Sequence, residues 1–218
     1  MIRAVISDFG GVLTSPLAGS FQAFADRSGI TMAMMGEAFG ALHARAGVHP
    51  LHELECGRMS EADFVGGLQR ALCDVAGRDV ALTGFAGLLS DLHPNEPMIE
   101  LMATLRREGY RMALLTNNVR EWERHWRAMA PIDEIFEVVV DSAFVGMRKP
   151  EPEIYELCVA RLGGGLQAQE CLFVDDREDN CEGALAVGMT AVRYRSIEQA
   201  LGEIRAALGR GPDGFSSG

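Results

Sequence analysis

Several short apolar runs in this sequence end on residues that can do chemistry. Asp8 follows the run Arg3–Ser7, Thr116 closes the run Arg111–Thr116, and Asp175-Asp176 follows Cys171–Val174. Another run, Phe136–Val140, leads into a loop that reaches Arg148-Lys149-Pro150. Three carboxylates at close range repel, so a compensating cation is expected. A hard divalent ion, Mg²⁺ above all, takes oxygen ligands from one or two carboxylates and keeps several waters. Lys149 would supply a second positive charge and Thr116 a hydroxyl donor. Together they suit a phosphoryl group, whose developing charge needs such a clamp. A carboxylate beside the metal can also attack phosphorus itself, giving an aspartyl-phosphate.

Gathering these residues requires elements that bring strand ends together. The four runs, with Thr190–Tyr194 as a fifth, are nearly continuous in apolar character, as expected for strands covered on both faces. Helical patterns separate them. Met98, Leu101, Met102 and Leu105 keep helical spacing after Pro94, and Gly109 closes that stretch. Ile154, Leu157, Cys158 and Leu162 repeat the pattern after Pro150 and stop at Gly163, while Asp179–Ala186 and Ile197–Leu208 read as two more helices. Strands alternating with helices predict an α/β fold, a Rossmann-like doubly wound parallel sheet. In such sheets ligands bind beyond the carboxyl ends of the strands, where the reactive residues lie.

Residues 16–93 break the alternation with successive helical stretches, Phe21–Ser28, Met32–Arg45 and Glu61–Val75. Ser60-Glu61-Ala62-Asp63 resembles a capping box, with Asp in the Glu position, and sets the start of the third. Pro16 and His93-Pro94-Asn95-Glu96-Pro97 bracket the segment as hinges. The expected organisation is a catalytic core of residues 1–15 and 94–208, a helical cap of residues 16–93, and a flexible tail over 209–218.

The chain has 218 residues, 20 of them basic and 31 acidic, for a net charge of −11, and 48% are hydrophobic. That apolar share argues against disorder, and the acidity argues against nucleic acid as a general partner. No run approaches the roughly 18 apolar residues of a membrane span. The first strand begins directly after Met1, which leaves no room for a secretory signal. Cys56, Cys73, Cys158, Cys171 and Cys181 form no CxxC pair, so free thiols in a reducing cytoplasm are expected.

Four ordered segments now carry a resemblance: Asp8-Phe9-Gly10-Gly11-Val12-Leu13-Thr14, Leu115-Thr116-Asn117-Asn118, Gly146-Met147-Arg148-Lys149-Pro150-Glu151-Pro152, and Phe173-Val174-Asp175-Asp176. Their types, order and strand-end placement resemble the four motifs of the haloacid dehalogenase-like hydrolase superfamily, and residues 16–93 sit where that family carries its C1 cap. Glu55-Cys56-Gly57-Arg58-Met59-Ser60 is similar to the branch of small sugar-phosphate phosphatases and the amino-terminal phosphatase domain of soluble epoxide hydrolase. The resemblance implies a Mg²⁺-dependent phosphatase acting on a small phosphorylated metabolite, such as a sugar phosphate, as a monomer or homodimer. It implies that Asp8 is the nucleophile and a metal ligand, and that Thr116 and Lys149 are catalytic. Asn117 and Gly11 would bind substrate, Asp176 and Asp175 would hold Mg²⁺, and Gly10 would offer the metal its backbone carbonyl. Gly10 departs from the family, whose phosphatases mostly have an acid/base aspartate there, and Asn180 stands where many relatives have another aspartate. A missing general acid/base is worth ~10²–10⁴ in rate. The alternatives are a 2-haloacid dehalogenase and a catalytically weakened phosphate-binding or regulatory protein.

Plainer readings exist for the remaining candidates. An Asp pair can be a solvated turn, and Trp122 and Trp126, at i and i+4, read as packing. His43, His49, His52, His93 and His125 lack metal spacing and read as surface or capping residues, with His49 and His52 the two that could line the cap's inner face. Glu55 and Arg58 could touch substrate, but a turn before Ser60 accounts for them.

Overall fold

The computed structural model describes residues 1–82 and 91–209, apart from the Ala18 side chain. Residues 83–90 of the expected cap, and the expected tail beyond residue 209, lie outside the described residues. Five strands, β1 (Ala4–Ser7), β2 (Arg111–Thr116), β3 (Val138–Asp141), β4 (Cys171–Asp175) and β5 (Thr190–Arg193), form one parallel sheet in the order β3-β2-β1-β4-β5. Every strand matches an expected run to within two residues at each end. The chain builds outward from β1 to β3 on one side, then crosses to β4 and β5 on the other. The topological switch therefore falls between β1 and β4, whose registers pair Ser7 with Val174.

Strand periodicity explains the layers. Val5, Met112, Leu114, Leu172 and Val174 face one cluster, while Ala4, Ile6, Ala113, Leu115 and Phe173 face the other. The second face is covered by α9 (Pro152–Leu162) and α10 (Glu178–Ala186), through Ile154, Tyr155, Cys158 and Ala184. The first is covered by α5 (Glu96–Arg107) and α11 (Ile197–Ala207), through Met98, Met102, Leu105 and Ile204. Trp122 and Trp126 are buried, and Trp126 lies 5.2 Å from the Phe9 ring, so their role is packing. Between β2 and β3 run the short helices α6 (Glu123–Arg127) and α7 (Ile132–Ile135), and α8 (Ser142–Val145) follows β3 directly.

Among the described residues between β1 and α5 lie the helices α1 (Leu17–Arg27), α2 (Met32–Ala46), α3 (Pro50–Glu55) and α4 (Glu61–Ala76). α1 starts four residues earlier than its periodicity indicates, because Pro16 occupies its N-cap position and Leu17 packs against the core. α3 corrects the three-helix expectation. His49 caps it by accepting from the Leu51 N–H at 3.3 Å, and Pro50 fills its first turn, where a missing N–H costs nothing. Ser60 caps α4 as expected, accepting from the Asp63 N–H at 3.1 Å. The stretches of chain that enter and leave this segment pair with each other: Ser15 N–H donates to the His93 carbonyl at 2.8 Å, and Thr14 bridges Pro94. No helix among the described residues is long and apolar enough to cross a membrane.

Asp141, the last residue of β3, is buried and caps α8 by accepting from the Ala143 N–H at 3.0 Å. Burial pushes its carboxyl up to about 6, against the pull of that N–H. A carboxyl raised by folding stabilises the native state when protonated, and this contribution fades as pH rises from the unfolded value through the folded one. Asp141→Asn keeps the acceptor and removes the ionisation. Its unfolding free energy should therefore gain on the wild type by on the order of 3 kcal/mol between about pH 4 and pH 7, checked by denaturant titrations across that range.

Candidate active site

The carboxyl ends of β1, β2 and β4 converge at the switch point, with the loop after α8 closing over them. Asp8 is 7% exposed, Thr116 and Lys149 1%, and Asp175 is fully buried. Lys149 Nζ donates to Asp8 Oδ1 and to Asp175 Oδ2, both at 2.7 Å, and lies 5.4 Å from the centre of the Phe173 ring. Asp175 is held from other sides too. Asn180 Nδ2 donates to its two oxygens at 3.0 and 3.1 Å, and the Arg177 N–H donates to Oδ1 at 2.8 Å. Lys149 is fixed at its backbone by Asn117, whose amide accepts from the Lys149 N–H at 2.9 Å and donates to the Lys149 carbonyl at 3.0 Å.

The structure thus brings Asp8, Gly10, Gly11, Thr116, Asn117, Lys149, Asp175 and Asp176 to one sheet edge. Asn117's side chain is committed to the lysine loop, so any contact with a ligand falls to its backbone. Gly11 has φ +82°, and a Cβ there would collide with the Asp176 carboxylate, so glycine is required on both counts. Gly10 has no such conformation. A Cβ at Gly10 would meet the Leu17 Cδ1 methyl at 2.9 Å, which places the start of α1 where the usual acid would begin.

Among the described residues, one carboxylate oxygen from each of Asp8, Asp175 and Asp176 lies within 4.8 Å of the other two. Burial raises the Asp8 carboxyl above its ordinary range, and the neighbouring Asp175 and Asp176 add to that rise while Lys149 opposes it. Burial, then Asp175, also raises Asp176. Burial works against the Lys149 charge, but Asp175 and Asp8 outweigh it and hold the ammonium above its usual range. One ammonium does not balance three acids. An all-oxygen cluster with surplus negative charge fits a hard divalent cation, with Asp8 Oδ2 and the Asp176 carboxylate left free of side-chain partners among the described residues.

The helical segment meets this edge through α3. The His52 ring lies 4.7 Å from that of His49, tilted by 31°, and partial burial, then Arg148 and His49, push its imidazole down to about 4, leaving it neutral at pH 7. His43, His93 and His125 are exposed. The supporting roles of Asn117 and Asn180 escape sequence reasoning, since each bonds a residue brought near only by folding.

Comparison with known proteins decides the family. A family model described as haloacid dehalogenase-like hydrolase matches residues 2–188. The chain belongs to this family. Among relatives of this haloacid dehalogenase-like hydrolase, mouse acyl-CoA dehydrogenase family member 10 is 28% identical over 212 residues, covering 95% of the chain and 19% of the relative. Glyceraldehyde 3-phosphate phosphatase of Pyrococcus abyssi is 36% identical over 99 residues, covering 44% of the chain and 40% of the relative. The chain thus spans less than a quarter of the length of the first relatives it matches. A solved family enzyme from Bacteroides thetaiotaomicron, an aspartate-to-alanine mutant in complex with magnesium and inorganic phosphate, superposes with TM-score 0.65 at 23% identity, covering 89% of this chain and 95% of that one. This last likeness concerns the fold.

If the acidic group binds the cation, Mg²⁺ should raise the melting temperature. Saturation at about a hundred times Kd corresponds to about 2.7 kcal/mol of added stability. Asp176→Asn should remove most of that shift, as thermal denaturation with and without MgCl₂ would show.

Proposed function

We propose that this hydrolase is a cytoplasmic, Mg²⁺-dependent phosphatase that cleaves a small phosphorylated metabolite through an aspartyl-phosphate on Asp8. The observation that carries the reading is the sharing of one buried ammonium between Asp8 and Asp175 inside an acidic cluster. Lys149 anchors Asp8, one oxygen of which would reach the cation while the other attacks phosphorus. The new bond joins that oxygen to phosphorus as the bond to the leaving oxygen breaks. The Thr116 hydroxyl and backbone N–H groups near Asn117 and Gly11 would hold the phosphoryl oxygens, and Lys149 would offset the charge that builds on them. Water then attacks the phosphoryl group, restoring Asp8 and releasing phosphate.

Asp8 and Asp176 would ligate Mg²⁺, joined by the Gly10 carbonyl, with Asp175 reaching it through water because its own oxygens are already engaged. When bound, the ion offsets the negative charge of substrate and carboxylates. Gly10 offers no proton to the departing alcohol, so the alcohol takes one from water, and esters with acidic leaving groups should react fastest. The helices α1–α4 would serve as the cap over this chemistry. The phosphatase named among the relatives supports a phosphate ester as substrate.

The family also covers dehalogenation of haloacids, but there Asp8 would attack a carboxylate-bearing substrate beside Asp175 and Asp176, and the repulsion disfavours it.

With p-nitrophenyl phosphate and MgCl₂, Asp8→Asn should lose on the order of 10³-fold or more of kcat, since the nucleophile itself is removed. EDTA should abolish turnover and MgCl₂ restore it. Full activity in the variant, or turnover indifferent to EDTA, would overturn the assignment.

A further inference from the structure

The buried nucleophile raises a question of access. Asp8, Thr116, Lys149 and Asp175 are all buried, and the helical segment rests on the loops that carry Thr116 and Lys149. What holds that segment down is a stretch at the end of α3 that sits on the two loops presenting Thr116 and Lys149. The Glu55 carbonyl accepts from Ser142 Oγ at 2.6 Å, and Ser142 Oγ in turn accepts from the Asn118 N–H at 3.0 Å. Arg58 Nη1 donates to the Gly146 carbonyl at 3.0 Å, and the Glu61 N–H donates to Glu121 Oε1 at 3.1 Å. Gly57, at φ +65°, lies flat against Ala143, where any Cβ would strike the Ala143 carbonyl.

One ion pair in this seam is largely buried. Arg148 Nε donates to Glu55 Oε2 at 2.8 Å, with side chains 13% and 17% exposed. Arg148 immediately precedes Lys149, whose backbone Asn117 grips on both sides. Burial holds the Glu55 carboxyl above its ordinary range even beside Arg148. Arg148 thus offsets only part of the desolvation cost of that carboxylate.

We propose that the Glu55–Arg148 ion pair is the latch of this site. It closes the helical segment over Asp8 and, through Arg148, seats the loop that presents Lys149, so that enclosure and catalytic geometry form together. Both are positioning residues. The inference rests on reading Asp8 and Lys149 as the reaction centre.

The test compares full-length wild type, Glu55→Gln, Arg148→Gln and the double variant, all with saturating MgCl₂. Amide hydrogen exchange and p-nitrophenyl phosphate kinetics are the two readouts. Each single variant should speed exchange in residues 117–121 and 142–149 by on the order of tenfold, leaving β1 and β4 protected. Each should lower kcat by a similar factor, on the order of tenfold, without raising KM, because a looser latch opens more often for entry but closes less completely for chemistry. The double variant should be no worse than either single one. Unchanged exchange in Glu55→Gln, additive losses in the double variant, or faster exchange that extends to β1 and β4 would each overturn the latch. If wild type turns over no p-nitrophenyl phosphate, the phosphatase reading fails while the exchange data still decide the latch.

Discussion

One buried ammonium between two carboxylates sets the terms for the rest of the molecule. Charges removed from water are costly unless their geometry is excellent and their remaining hydrogen-bonding capacity is met. Lys149 meets this demand by donating at 2.7 Å to Asp8 and Asp175. The surrounding residues complete the requirement: Asn180 and the Arg177 N–H satisfy Asp175, and Asn117 fixes the lysine's own backbone. Neighbouring parallel strands with their carboxyl ends aligned place Asp8 and Asp175 this close. The switch point between β1 and β4 provides that alignment.

On the proposed phosphatase reading, the same arrangement reconciles an acidic protein with an anionic guest. Net charge acts at long range and is screened within about 8 Å at physiological salt, whereas the site works at contact distance in a dry interior. There the balance is three acids against one ammonium, and on the proposed reading a cation would offset that imbalance and in turn accept a phosphoryl group. If the helical segment closes over the site as proposed, it would strengthen each of these interactions by excluding water. Binding charge and excluding solvent are therefore one problem, with the sheet edge and the helices as its two halves.

Much of this was legible in the sequence, for a physical reason. A strand covered on both faces must be apolar throughout, so Ala4–Ser7 and Cys171–Asp175 announce themselves, and the polar residues that end them mark the edge where ligands bind. Helices long enough to show periodicity, such as α4 and α9, were equally plain. The six residues of α3 were not, since they are too few for a periodic signal, and only the His49-Pro50 start gave a cue. Partnerships such as Asn117 with Lys149, or Glu55 with Arg148 across 93 positions, left no local trace, because they exist only once the chain has folded.

Gly10 and Gly11 stand side by side yet have opposite standing. Gly11 is pinned by its backbone and by the Asp176 carboxylate, so any replacement strains the turn. Gly10 is bound by neither, and what occupies the space beside it is the far end of the Leu17 side chain, which can rotate away. The two positions therefore differ in tolerance: a Cβ at position 10 asks only the Leu17 side chain to shift, while one at position 11 meets both a left-handed backbone and the Asp176 carboxylate.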